Sequence, residues 1–369
     1  MKIAVIGSRG YPYVYSGYET FVSELAPRLV EKGMEVHVYC HRKLFKNKPR
    51  ELNGIRLHYI PAIELKSFSQ LSHSFLSTMH ALFKRYDVIL FVNSANGIFG
   101  MFTRLFGIKT AINVDGLEWK RPKWKGAGAK VFYFCSKMAT KWMDVIITDA
   151  EEMRKVYLAE FKKDSEVIAY GATIRYSQNP SLISKWGLEK DGYYLIVGRL
   201  IPDNNAALII GEFVQSKSVK KLVVVGDVPY KDKYASDIKN IKDERVIFTG
   251  YVNDKNELSE LYHNCYAYFH GHEFGGTNPT LLKALAYGCA IMALDTVFNR
   301  EVLKEGEYGL FFTKDKNSIV DLIGYLEKDS GKIQNLREIA RNRIKEKYTW
   351  EQIIDKYESL FLQLIKKAS

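Results

Sequence analysis

No stretch of this 369-residue chain carries the ~20 consecutive apolar residues that span a bilayer as a helix. The nearest, Val88 to Phe102, is broken by Asn93, Asn96 and two glycines, so a membrane-spanning anchor is excluded. Cysteine is scarce. Cys40, Cys135, Cys265 and Cys289 share no CxxC and no regular spacing, which fits reduced, buried thiols better than disulfides or zinc. There is no GxGxxG, and Cys40 stands where a nicotinamide-binding second strand would end in an acid, so that cofactor loses support. His270 and His272 have no third ligand spaced with them, and no metal is expected. The opening MKIAVIGSRG has one Lys and a short apolar run, but it ends in a glycine turn rather than a small-residue cleavage site. It reads as a first strand, which points to a cytoplasmic protein. What remains is ordinary globular material: 47% hydrophobic, 26% charged and 13% aromatic residues, with length for two domains at ~100 to 200 residues each.

The formal charge is +12, and it is unevenly placed. Met1 to Gly171 holds 26 Lys and Arg against 16 Asp and Glu, whereas the remainder is nearly balanced at 28 against 26. A basic half suggests a polyanionic partner: a nucleic acid, an anionic membrane or a phosphorylated substrate.

Short β-type runs alternate with helix-length segments. KIAVIG, EVHVYC, DVILFV, KTAINV and DVIITD lie in the first half, and YYLIVG, KLVVVG, RVIFTG, AYFHG and AIMAL in the second. This alternation predicts an α/β protein of two Rossmann-like, doubly wound domains, at 1–173 and 174–348, with a linker near Ile174 to Pro180. Ligands of such sheets bind at the carboxyl ends of the strands, so the cleft between two such domains is the expected site. The last stretch, 349–369, has helical apolar spacing behind Thr349 and suits a helix that returns to the first domain.

Four loops carry candidate chemistry. GSRGYPYVYSGYET (Gly7 to Thr20) puts glycines between a strand and a helix, where backbone amides can approach an anion, although a structural turn explains it equally. In VGRL, Arg199 follows a strand end, where a bidentate guanidinium suits a diphosphate and also an ordinary salt bridge. In HGHEFGGTNPTLLKALAYG, Gly275, Gly276, Thr277 and Asn278 precede Pro279 at a helix entrance whose amides would face a phosphate, although the same residues make a good helix cap in any protein. Glu273 lies just before it, where a carboxylate could reach the sugar of a bound donor and where a solvated loop acid is an equal explanation. In NVDGLEWKRPKWKGAGAK, Asp115 and Glu118 fall at a strand end as candidate acids. Lys120, Arg121, Lys123, Trp124 and Lys125 follow, mixing bases with interfacial aromatics as a membrane-surface segment does. A solvated charged face and nucleic-acid contact are the competing explanations of that segment.

In this order and at these separations, GSRGYPYVYSGYETFVSEL, NVDGLEWKRPKW, VGRLIPDNN and GGTNPTLLKALAYG resemble the bacterial rhamnosyltransferase-like branch of family-4 glycosyltransferases. The resemblance implies a GT-B fold, with an acceptor-side first domain and a donor-binding second domain facing across a cleft. It also implies a metal-independent, retaining reaction with dTDP-L-rhamnose as donor, no cofactor, and a polyprenyl-diphosphate-linked saccharide as acceptor. By position, Ser16, Gly17, Glu19 and Glu118 would serve the acceptor side. Asp115 would lie near the donor sugar, Arg199 on the diphosphate, and Gly276, Thr277 and Asn278 in the phosphate-side loop. Two positions depart from the family pattern. Asn204 stands where many relatives have Lys, and Lys283 where a Glu usually accepts from the ribose, which an ammonium cannot do.

These readings converge on a glycosyltransferase at the inner face of the membrane, with Asp115, Arg199 and Glu273 as catalytic candidates and Asn204, Gly275 to Asn278 and Lys283 as donor contacts. Nucleic acid is not expected as a partner. A nucleotide-sugar epimerase of the same fold and a non-catalytic glycan-assembly subunit are the alternatives.

Overall fold

A computed structural model describes residues 1–12, 17–65, 68–114, 116–121, 126–228 and 232–366. It divides into two compact units, Met1–Tyr170 with Glu351–Ser369, and Gly171–Trp350.

The first unit alternates β1 (Lys2–Ile6), α1 (Gly17–Glu31), β2 (Glu35–His41), β3 (Glu51–Leu52), β4 (Ile55–Ile60), α2 (Ser69–Ala81), β5 (Val88–Val92), α3 (Gly100–Leu105), β6 (Lys109–Val114), α4 (Ala127–Trp142), β7 (Val145–Thr148), α5 (Glu151–Phe161) and β8 (Glu166–Val167). Its sheet runs β3-β4-β2-β1-β5-β6-β7-β8, parallel except for the β3–β4 pair. Strands covered on both faces need unbroken apolar runs, and β5 (VILFV) is buried at every residue. The chain leaves β1 toward β2 and returns to β5 on β1's other side, which makes the carboxyl ends of β1 and β5 the switch point of this sheet.

The second unit repeats the plan with β9 (Tyr193–Val197), α6 (Ala206–Gln215), β10 (Lys221–Val225), α7 (Lys233–Lys239), β11 (Val246–Gly250), α8 (Lys255–Asn264), β12 (Ala267–His270), α9 (Pro279–Ala286), β13 (Ile291–Leu294), α10 (Val297–Val302), β14 (Leu310–Phe312), α11 (Ser318–Lys328) and α12 (Ser330–Arg343). Its order, β11-β10-β9-β12-β13-β14, is parallel throughout and puts the switch point between β9 and β12. Tyr194, Ile196, Phe213, Val224, Phe269 and Phe312 form the centre of its core, each contributing roughly 1.5–3 kcal/mol by burial. Side-chain caps set the helix starts: Asp232 for α7, Asp254 for α8, Asn278 for α9 and Thr296 for α10.

The stretch after Gly171, expected as a linker, is held on the second unit. The buried Glu260 carboxylate of α8 accepts from Ser177 Oγ and from the amides of Gln178 and Asn179 at 2.6–2.8 Å. α13 (Trp350–Lys366) then packs on the first unit. Ile353, Ile354, Tyr357, Leu360, Phe361 and Leu364 form its buried stripe, and Asn113 Nδ2 donates to the Tyr357 hydroxyl at 2.9 Å. The four cysteines are buried free thiols.

Candidate functional site

The switch point of the second sheet gathers residues that lie far apart along the chain. Arg199 follows β9 and is exposed, while His272 and Glu273 follow β12. Asn204 ties the two loops together. Its Nδ2 donates to the Arg199 carbonyl at 2.8 Å, and its Oδ1 lies 2.9 Å from His272 Nδ1. Its neighbour Asn205 has φ +51°, a left-handed conformation that Asn tolerates, and so turns its amide onto the Gly271 carbonyl at 2.9 Å and Glu273 Oε2 at 3.3 Å. Glu273 is further held by Lys314 Nζ at 2.7 Å, and its amide donates to the Asp203 carbonyl at 3.0 Å. From α10, the buried Asn299 donates to the His272 carbonyl at 3.1 Å. The carboxylate expected near a sugar is therefore oriented by a lysine and an asparagine.

At two positions here the backbone leaves no room for a side chain. Gly226 ends β10 with φ +116°, and a Cβ on it would fall 2.1 Å from the Gly198 carbonyl oxygen. A Cβ on Gly271 would fall 2.3 Å from the Asn204 carbonyl oxygen. Close approach of these strand ends requires glycine.

The GGTN run enters α9. Gly275 has φ +123°, Thr277 is buried, and Asn278 caps the helix, its Oδ1 accepting from Thr280 N at 2.9 Å and Thr280 Oγ1 at 2.7 Å. The amides of this entrance and the positive end of the helix dipole suit an anion. Lys283 lies one turn inside, half-buried. At the end of β12, His270 is buried with Nε2 unpartnered, and burial lowers its pKa to about 3, so the ring is neutral at pH 7.

In the first unit, Gly7 at the end of β1 has φ +108° and a Cβ there would meet the Val92 carbonyl oxygen at 2.3 Å, again at the switch point. Gly17 opens α1, with nothing within 4 Å of a Cβ placed on it. Glu19 is buried, and its Oε1 accepts from the Arg9 amide at 2.9 Å, pinning the first loop to α1. Glu118 pairs with Arg121 at 3.1 Å and Lys120 lies 4.0 Å from Glu160, so the two cations of that segment among the described residues are set against acids. Ser16, Asp115, Lys123, Trp124 and Lys125 lie outside the described residues. Sequence reasoning missed Asn205, Asn299 and Lys314. Only Asn205, in the NN pair of VGRLIPDNN, carried a local turn signal.

Residues 178–343 match the family described as glycosyl transferases group 1, and residues 1–173 a domain of unknown function, DUF1972. Among curated proteins, a Campylobacter jejuni N-acetylgalactosamine-N,N'-diacetylbacillosaminyl-diphospho-undecaprenol 4-alpha-N-acetylgalactosaminyltransferase is 29% identical over 42% of this chain and 42% of its own length. An uncharacterized Methanocaldococcus jannaschii glycosyltransferase is 22% identical over 99% of both chains. Among solved structures, sucrose-phosphate synthase from Thermosynechococcus elongatus superposes with a TM-score of 0.84 at 18% identity over 99% of both chains. Anabaena HepE in complex with UDP gives 0.77 at 16% identity over 98% of this chain and 100% of that one. The fold is that of the GT-B glycosyltransferases.

Proposed function

We propose, for a chain whose residues 178–343 form a glycosyl transferases group 1 domain, a retaining, metal-independent transfer of L-rhamnose from dTDP-L-rhamnose to a lipid-linked or growing cell-surface polysaccharide. One observation carries the donor half of this reading. The Arg199, Asn204 and His272 loops meet at the switch point of the second sheet, on the same strand end as the capped GGTN entrance of α9. As the sugar–phosphate bond breaks, charge develops on the β-phosphate. The permanent guanidinium of Arg199 and the amides of the helix entrance would meet that charge. Glu273, held by Lys314 and Asn205, presents a fixed carboxylate for a sugar hydroxyl. The neutral His270 adds no charge to compete with the diphosphate's partners. UDP in the HepE structure and the diphospho-undecaprenol in the name of the Campylobacter enzyme support a nucleotide donor and a lipid-diphosphate acceptor here. The basic first unit accords with work at the anionic inner face of a membrane.

The test is ligand-observed NMR of the purified chain with dTDP-rhamnose, UDP-glucose, UDP-GlcNAc and GDP-mannose, followed by slow donor hydrolysis. Selective binding and hydrolysis of dTDP-rhamnose, both lost in Arg199→Ala with the fold intact, is the expected result. Full activity in that variant sinks the assignment. Isomerised nucleotide sugar without acceptor would make the chain an epimerase, and a folded protein that binds no donor would make it a non-catalytic subunit.

A further inference from the structure

A second surface lies on the first unit, away from the strand ends. β5, β6 and β7 follow one another across the sheet in one direction, so right-handed crossovers put the connecting α3 and α4 on the same face. α2, which leads into β5, packs beside α3, and α3 beside α4. None of these three helices contains an acidic residue, and residues 66–144 hold 12 Lys and Arg against four Asp and Glu. Of these bases, Arg104 stands on α3 and Lys130, Lys137 and Lys141 on α4.

The same face leaves large apolar side chains in water. Phe83 is 76% exposed, Leu105 77%, Phe106 53% and Phe134 53%. They are not scattered. Phe83 and Phe106, from the ends of neighbouring helices, meet edge to face with centroids 5.8 Å apart. Phe134 shares one stripe of α4 with Lys130, Lys137 and Lys141, at helical spacings of four, three and four. Arg104 reaches across from α3 to the Lys141 carbonyl at 3.1 Å, so the apolar and basic groups belong to one continuous surface.

We propose that this α2–α3–α4 face docks on an anionic lipid bilayer. Phe83, Leu105, Phe106 and Phe134 would enter the acyl boundary, while Lys130, Lys137 and Lys141 lie on lipid phosphates. Charge complementarity selects this occupant. A second copy of the chain paired face to face would set lysines against lysines with no acid between them. Nucleic acid would leave Leu105 without a role, because an aliphatic side chain does not stack on bases. The proposal gives the membrane working place suggested above a defined surface and draws on that reading for its purpose only. It moves the contact from the 120–125 segment, where Lys120 and Arg121 face acids, to three helices.

The experiment is sedimentation of the full chain with vesicles of phosphatidylcholine alone or mixed with phosphatidylglycerol, at low and high salt. Binding to the mixed vesicles, weakened by salt and absent on phosphatidylcholine, is expected. Leu105→Ser with Phe106→Ser, both exposed, should cut partitioning roughly tenfold with unchanged circular dichroism. Lys137→Glu with Lys141→Glu should cut it at least as much, at about tenfold per pair of charges. No binding, binding untouched by either pair, or a dimer that either pair dissolves would overturn it. Donor hydrolysis is measured on the same samples. Hydrolysis without vesicle binding removes this surface and leaves the proposed reaction, whereas vesicle binding without hydrolysis does the reverse.

Discussion

Asn204 Oδ1 and His272 Nδ1 meet at 2.9 Å across the two strand ends that flank the switch point. Because Asn204 Nδ2 donates to the Arg199 carbonyl, its Oδ1 must accept, and His272 must therefore carry its proton on Nδ1. The ¹⁵N shifts of His272 should show a protonated Nδ1 from pH 7 to 8. Asn204→Ala removes both bonds, at about 1 kcal/mol each, and should lower donor affinity roughly tenfold. Asn204→Lys keeps a donor for Arg199 but loses the acceptor, so it should release the Nδ1 preference. A His272 unchanged in Asn204→Lys would break this link between the loops.

Gly226→Ala tests the closest backbone approach in the second unit. A methyl there would overlap the Gly198 carbonyl in a residue already at positive φ. The expected cost is about 2–4 kcal/mol, or a fall in Tm of roughly 5–15 °C for a unit of this size. Gly17→Ala, where nothing stands within 4 Å, is the control and should leave Tm within about 2 °C. Equal effects of the two variants would contradict the packing described.

The buried parallel strands were the legible part of this fold. KIAVIG, DVILFV, KTAINV, YYLIVG and KLVVVG all begin or end within a residue or so of β1, β5, β6, β9 and β10, because a strand covered on both faces is an unbroken apolar run. IRLHYI (β4) was passed over, since Arg56 and His58 interrupt its pattern where it lies near the sheet's edge. β14 is three residues long and depends on its neighbour β13 for definition. At the site, Arg199 and the GGTN loop stood out because strand-end glycines and caps are local features. Lys314 did not, because its partner Glu273 is 41 residues away and only the fold joins them.

The first unit should weaken as pH falls. His73 is fully buried, with its ring stacked on that of His41 at 5.2 Å, and burial followed by the charge of that neighbour lowers its pKa to about 4. His58, beside His37 and His80, is also lowered to about 4, mainly by burial. In the unfolded chain both titrate near ~6.5, so between pH ~6.5 and ~4 the unfolded state binds more protons and stability rises with pH. Thermal unfolding at pH 5 should therefore come several degrees below that at pH 7.5, with ~2–4 °C for each kcal/mol lost. His73→Asn, which cannot take up the proton, should reduce that difference. An equal drop in the variant would assign the acid sensitivity elsewhere.

Lys283 sits one turn into α9, behind the capped GGTN entrance, at the position where resemblance to family-4 enzymes implies a carboxylate for the ribose hydroxyls. An ammonium has donors only, so a ribose hydroxyl that needs an acceptor finds none from this side chain. A carboxylate–hydroxyl bond is worth about 1.5–3 kcal/mol, so Lys283→Glu should tighten nucleotide binding by roughly tenfold or more. The opposing effect is electrostatic, since Glu also removes a cation from the neighbourhood of a diphosphate. Titration of dTDP and of thymidine separates the two. If the ribose contact dominates, the variant gains affinity for both ligands. If Lys283 serves the diphosphate, thymidine gains while dTDP loses, and the ammonium is then an adapted partner of Arg199 rather than a lost acceptor.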